Sequence, residues 1–104
     1  MSHNGYTNYE TWAVHLWLTN DEATYNFCCS LAADALQDAE TCPHVREGIW
    51  QPEEAPTYLL SDRLKEYVQE GSPLANAPSM YSDLLNAALS EVNWHEIAEA
   101  FLEE

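Results

Sequence analysis

Four side chains in this sequence have the chemistry of zinc ligands: Cys28, Cys29, Cys42 and His44. Zinc takes four ligands, commonly delivered in paired short spacings such as Cys-x-x-Cys. Here Cys28 and Cys29 are adjacent and would diverge on a helix, and Cys42-Pro43-His44 supplies one loose pair. A small apolar thiol in the core suits Cys28 or Cys29 better, and no metal or other cofactor is expected. Nucleophilic catalysis would need a Cys or Ser beside a His and a group to orient it. Neither a nucleophile elbow nor a glycine-rich loop occurs among only 3 glycines. His15 sits between Val14 and Leu16, and His95 beside Trp94. Both read as helix-surface or hydrogen-bonded structural residues. The chain does not read as an enzyme.

The carboxylates say more. Asp62, Glu66 and Glu70 are spaced i, i+4, i+8, one row along a helix with roughly 6 Å of rise between members. Glu96, Glu99 and Glu103 form a second row, extended by Glu104, with Glu91 just upstream; Asp34 and Asp38 make a shorter third. Like charges at this spacing cost a helix roughly a few tenths of a kcal/mol per pair. Only Arg46, Arg63 and Lys65 are available to compensate them. Two readings stand side by side. A charge run is ordinarily a solvated face. Fixed rows of carboxylates can also offer a cationic surface what duplex DNA offers, a rigid array of closely spaced negative charge.

Bulk charge sharpens the choice of partner. Against 18 acidic residues stand 3 basic ones, a formal net charge of −15. That balance excludes the ordinary electrostatic route to nucleic acid, which needs Lys and Arg to displace counterions. It equally disfavours anionic membrane. It favours a basic protein surface, steered into contact from a distance. Three cysteines, two of them adjacent, do not look like the disulfide framework of a small secreted domain. The polar start from Met1 to Gly5 and the lack of a long apolar run point to the cytoplasm.

These groups need elements to hold them, and helical spacing supplies five. The first is expected from near Asn8, with Thr7 and Glu10 at capping-box spacing and Trp12, Ala13, Leu16 and Trp17 as its apolar stripe. Thr19 and Glu22 repeat the box and open a second helix to about Asp38, with Tyr25, Cys28, Cys29, Ala32 and Leu36 inward. Three prolines and Gly48 make Glu40 to Pro56 a loop, pinned to the core by Ile49 and Trp50, in which a short hairpin could hide. The third helix is expected over Thr57 to Glu70 with Leu60, Leu64, Tyr67 and Val68 inward and Gly71 as its stop. After a linker, Ser72 to Pro78, the fourth runs from about Ser79 to Glu91 and turns Leu84, Leu85, Ala88, Leu89 and Val92 inward. Asn93 and Glu96 bracket the start of the last, whose apolar side is Trp94, Ile97, Ala98, Phe101 and Leu102. At 104 residues this is one domain with one core, an all-α compact bundle.

The run Asn8-Tyr9-Glu10-Thr11-Trp12, with Leu16-Trp17-Leu18 and Asn20-Asp21-Glu22 behind it, resembles the small "NYETW" proteins of bacteria, archaea, phages and plasmids. The stretch Asp83 to Trp94, then Glu96-Ile97-Ala98, is similar to that family's ending; the middle, about Glu40 to Ala77, has no such likeness. The resemblance implies a structural role for the motif, with Asn8 or Thr7 as a cap and Trp12 and Trp17 as core anchors, Trp94 against them. It also implies a setting. Small acidic proteins of mobile elements include inhibitors of restriction and CRISPR systems that imitate DNA. The resulting expectation is a DNA mimic, preferably an anti-CRISPR acting in the host cytoplasm. It would occupy the basic DNA-binding surface of a CRISPR surveillance complex, or secondarily a restriction enzyme, through Asp34, Asp38, Asp62, Glu66, Glu70, Glu91, Glu96, Glu99 and Glu103. The rivals are an interaction module using an aromatic patch from Tyr6, Tyr9, Trp50, Tyr58 and Tyr81, and a small metal-binding regulator.

Overall fold

The computed structural model describes residues 3–74 and 79–103. Within them six helical elements follow one another: α1 (Tyr9–Asn20), α2 (Glu22–Ala39), the single turn α3 (Pro43–Arg46), α4 (Ala55–Glu70), α5 (Met80–Ser90) and α6 (Trp94–Leu102). The architecture is an all-α bundle. Glu104 and part of the 72–78 linker lie outside the described residues.

Four of the six helices, α1, α2, α5 and α6, begin where a side chain satisfies an orphan amide, whereas α3 and α4 have no side-chain cap. Asn8, in extended backbone, accepts from the Thr11 amide to start α1, and Asp21 accepts from Thr24 to start α2. Asp21 therefore closes one helix and opens the next with no residue to spare. The expected Thr7–Glu10 and Thr19–Glu22 boxes do not form. The Thr19 hydroxyl instead donates back to the His15 and Leu16 carbonyls, and the caps are Asn8 and Asp21, one and two residues further on. A capping box does form at α5, where Ser79 and Ser82 exchange side-chain and backbone bonds.

The loop from Glu40 to Pro56 holds α3 rather than a hairpin. Its end is a Schellman turn: the Ile49 amide reaches the His44 carbonyl at 2.8 Å and the Gly48 amide reaches Val45 at 3.1 Å. Gly48 supplies the positive φ, 77°, that such a turn requires. Ile49 points outward rather than into the core, and Trp50 is held by stacking between His44 and Tyr58. The hairpin-like turn lies elsewhere. His3 and Tyr6 exchange two backbone bonds of 2.8 Å across Asn4-Gly5, both with positive φ, as a tight hairpin turn of the Asn-Gly type demands.

The core gathers Leu18 of α1, Cys28, Ala32 and Ala35 of α2, Leu60 and Leu64 of α4, Leu89 and Val92, and Trp94, Ile97, Ala98 and Phe101 of α6. Helices α2 and α4 run antiparallel, since Phe27 meets Tyr67 while Asp38 meets Arg63. The alanine face of α2 carries no bulk beyond a methyl, which lets its neighbours approach closely.

The inward face expected of α1 is rotated, and those of α2 and α5 are borne out in part: Tyr25, Cys28, Cys29 and Ala32, and Leu85, Leu89 and Val92, lie in or against the core. On α1 the buried residues are Thr11 and Leu18, with Val14 against the core, while Trp17 is 73% exposed and Leu16 also faces out. Trp17 is thus not a core anchor. On α2 the face of Ala32, Ala35 and Ala39 turns inward and Leu36 does not; on α5 Ser82 and Leu89 are buried, whereas Leu84 and Ala88 are exposed. Helix α5 is consequently the most loosely seated of the long helices.

Thr11 reaches the interior because its hydroxyl is committed twice. It donates to Asn8 Oδ1 at 2.6 Å and accepts the Asn93 amide at 2.9 Å. Around it, Asn8 Nδ2 donates to the Glu91 carbonyl at 2.7 Å, Asn93 Nδ2 donates to Thr7 Oγ1, and the Thr7 amide donates to Glu96 Oε1 at 2.9 Å. Two helix starts, α1 and α6, are clasped face to face. Further along the same pair, His15 packs edge-on against Phe101, so the helices run side by side from the clasp.

Two outcomes are expected. Thr11→Val keeps the shape but strands the Asn93 amide, and should cost about 1–3 kcal/mol, seen as a fall in thermal midpoint of roughly 4 °C or more. An unchanged midpoint would mean the clasp contributes nothing. Asp21 is held below its ordinary carboxyl value of 3.8 by the Thr24 amide first and the Thr24 hydroxyl second. Its contribution is therefore complete above that value and lost as pH falls through the lowered one. Asp21→Ala should be less stable than the parent at neutral pH, with the gap closing on acidification; a gap that widened in acid would refute the assignment.

Candidate partner-binding surface

The expected site residues sit on four elements. Asp62, Glu66 and Glu70 project from α4, all exposed, one turn apart along a helix of 16 residues. Asp34 and Asp38 stand exposed on α2, and Asp38 is bound by Arg63 of α4 at 2.7 Å. Among the described residues this is the one Lys or Arg pair with a carboxylate. On and around α6 the acids differ from one another. Glu91 caps the end of α5, and its carbonyl is part of the clasp. Glu96 is half-buried and accepts from Thr7, Glu99 lies 3.8 Å from His95 Nε2, and Glu103 caps the end of the helix in the open.

The α4 row is the cleanest of the three. Its carboxylates carry their charge on a helix anchored by fully buried Leu60 and Leu64, so their spacing is fixed by the core rather than by solvent. The α6 row is mixed, since Glu96 spends an oxygen on holding the fold together.

The tyrosines and Trp50 do not form one patch. Tyr6 is half-buried, with its hydroxyl 2.7 Å from His15 Nδ1. Tyr9 is exposed beside His3 and Trp12. Trp50 and Tyr58 stack at 5.0 Å inside a column that continues to His44 on one side and His95 on the other. Tyr81 stands exposed on α5 beside Met80. No ring contact joins these groups among the described residues.

The cysteines lie apart from such surfaces. Cys28 is wholly buried, and burial first, then the neighbouring Cys29, pushes its thiol up to about 11. A thiol held protonated at neutral pH is a poor nucleophile and a poor metal ligand. Cys42 is also buried, Cys29 is half-buried in a hollow between α2 and α6, and His44 is engaged in the ring column. Among the described residues no group of three or more His, Cys, Asp or Glu is placed to hold a metal ion, and no helix is long and apolar enough to cross a membrane.

Three features were missed from the sequence: the Thr11–Asn93 clasp, the Asn4-Gly5 turn and the ring column. Asn-Gly is itself a strong hairpin signal. The other two are tertiary and leave no local trace.

No curated protein matches the chain, and no solved structure does. The family whose pattern fits it spans residues 1–99 and is described as a family of unknown function. With nearly its whole length matched, the chain belongs to the family DUF7249.

Proposed function

We propose that this protein is a non-enzymatic inhibitor that imitates DNA, occupying the basic nucleic-acid-binding surface of another protein. The observation that carries the reading is the α4 row: Asp62, Glu66 and Glu70, exposed and regularly spaced, in a molecule of net charge −15. A groove built to bind polyphosphate cannot tell fixed carboxylates from phosphates by charge alone. In the family setting implied by the "NYETW" likeness, that of phages and plasmids, the preferred target is the DNA channel of a CRISPR surveillance complex in the host cytoplasm. A restriction enzyme is the second choice. Asp34, Glu99 and Glu103 would widen the anionic face, while Asp38, Glu91 and Glu96 would chiefly hold the scaffold that displays it.

A second reading, an interaction module that binds through apolar surface, is favoured by one observation. Met80, Tyr81 and Leu84 stand exposed together on α5, with Asp83 the single charged residue of that helix.

Target-DNA binding by a purified CRISPR complex, measured with and without this protein, separates the two. Inhibition through the α4 row should weaken roughly tenfold or more in the variant Asp62→Lys/Glu66→Lys/Glu70→Lys. It should also fade as salt shortens the range of charge from about 8–10 Å. Inhibition that survives both reversal of every carboxylate row and high salt would rule out mimicry; loss on Leu84→Ser instead would favour the apolar reading.

A further inference from the structure

Beside the α4 row runs a groove of about 260 Å³ between α2 and α4. Its floor is apolar: Phe27 and Leu31 come from α2 and Tyr67 from α4, and the Phe27 and Tyr67 rings meet at 4.8 Å with their planes tilted by 43°. Phe27 is 45% exposed, so its ring is open to a partner side chain. The rim is charged. Arg63, Glu66 and Glu70 line it, but Arg63 is already bound by Asp38 at 2.7 Å. The charge left over is that of Glu66 and Glu70, one helical turn apart.

A polyphosphate backbone imitated by these carboxylates would explain the rim and leave the floor without purpose. A protein helix explains both. A basic amphipathic helix carries large apolar side chains on one stripe and Lys or Arg at three or four residues' remove. That arrangement matches an apolar trough bordered by two carboxylates at helical spacing.

We infer that the α2–α4 groove docks a basic amphipathic helix of the partner protein. One large apolar side chain seats on Phe27, Leu31 and Tyr67, and a Lys or Arg a turn away meets Glu66 and Glu70. The inference rests on the reading that the α4 row faces a cationic partner, and adds what part of that partner it grips. An apolar anchor shielded by a polar rim is where binding energy concentrates, while the rim charges set approach rate and register.

Two synthetic helical peptides of equal length and charge test this by calorimetry on the full chain, one built of Leu and Lys and the other of Ala and Lys. The Leu/Lys peptide should bind about tenfold more tightly or better, and Phe27→Ser should abolish that advantage without affecting the Ala/Lys peptide. Glu66→Gln/Glu70→Gln should weaken both, and Leu84→Ser neither. In the unaltered protein, the Leu/Lys peptide should shift the NMR signals of Leu31 and Tyr67, a readout independent of how Phe27→Ser folds. Equal affinity for the two peptides, still lost with the glutamates, would overturn the groove and leave the charged row standing. Sensitivity to Leu84→Ser with silence at Leu31 and Tyr67 would move the anchor to α5 and overturn it as well. If neither peptide bound, the cationic-partner reading would fall together with the groove.

Discussion

One hydroxyl organises this fold. Thr11 Oγ1 is buried where the starts of α1 and α6 meet, and it both gives and receives a hydrogen bond there. In such surroundings a polar group is costly unless every bond is made. Here the account closes, and no buried side-chain nitrogen or oxygen lacks a partner among the described residues. The cap residues Asn8 and Asn93 each serve their own helix and also reach across, Asn8 to the Glu91 carbonyl at the end of α5 and Asn93 to the Thr7 hydroxyl just before α1. The most distinctive run of the sequence, Asn8 to Trp12, is therefore a joint. Its Asn and Thr make the bonds, while Tyr9 and Trp12 pack with His3 over the outside.

A second regularity follows from the choice of what goes inside. Ala35 is buried beside exposed Leu36, Ser82 beside exposed Leu84, and Thr11 on the helix that exposes Trp17. A buried alanine or satisfied hydroxyl lets helices come closer than a leucine would. The large side chains displaced by this arrangement end up on the surface. That leaves an acidic molecule with large apolar side chains such as Trp17, Leu36 and Leu84 on its surface.

How much of this could be read from residues alone depends on contrast. The inner faces of α4 and α6 were legible, because Leu60 and Leu64, or Ile97, Ala98 and Phe101, stand against clearly polar neighbours. Helices α1 and α5 offer apolar residues on several sides, so periodicity could not say which side wins; hydrogen-bonding of Thr11 and Ser82 decided it. Helix starts were placed to within a residue or two, but Thr7-Asn8 and Thr19-Asn20-Asp21 each hold several competent caps in succession. The carboxylate rows were legible as spacing. That Asp38 would be taken by Arg63 and Glu96 by Thr7 was not, since both bonds join distant parts of the chain.

That distance shapes how the molecule must assemble. The bond between Asn93 and Thr11 closes a loop of 82 residues, and drawing the ends of such a segment together costs about 4 kcal/mol of chain entropy before any contact repays it. Helices capped by their own neighbours can form first, and the antiparallel pair α2–α4 can dock through contacts much nearer in sequence. The knot of asparagines and threonines is thus the contact that joins the two ends of the chain, and its closure is expected to come late in folding.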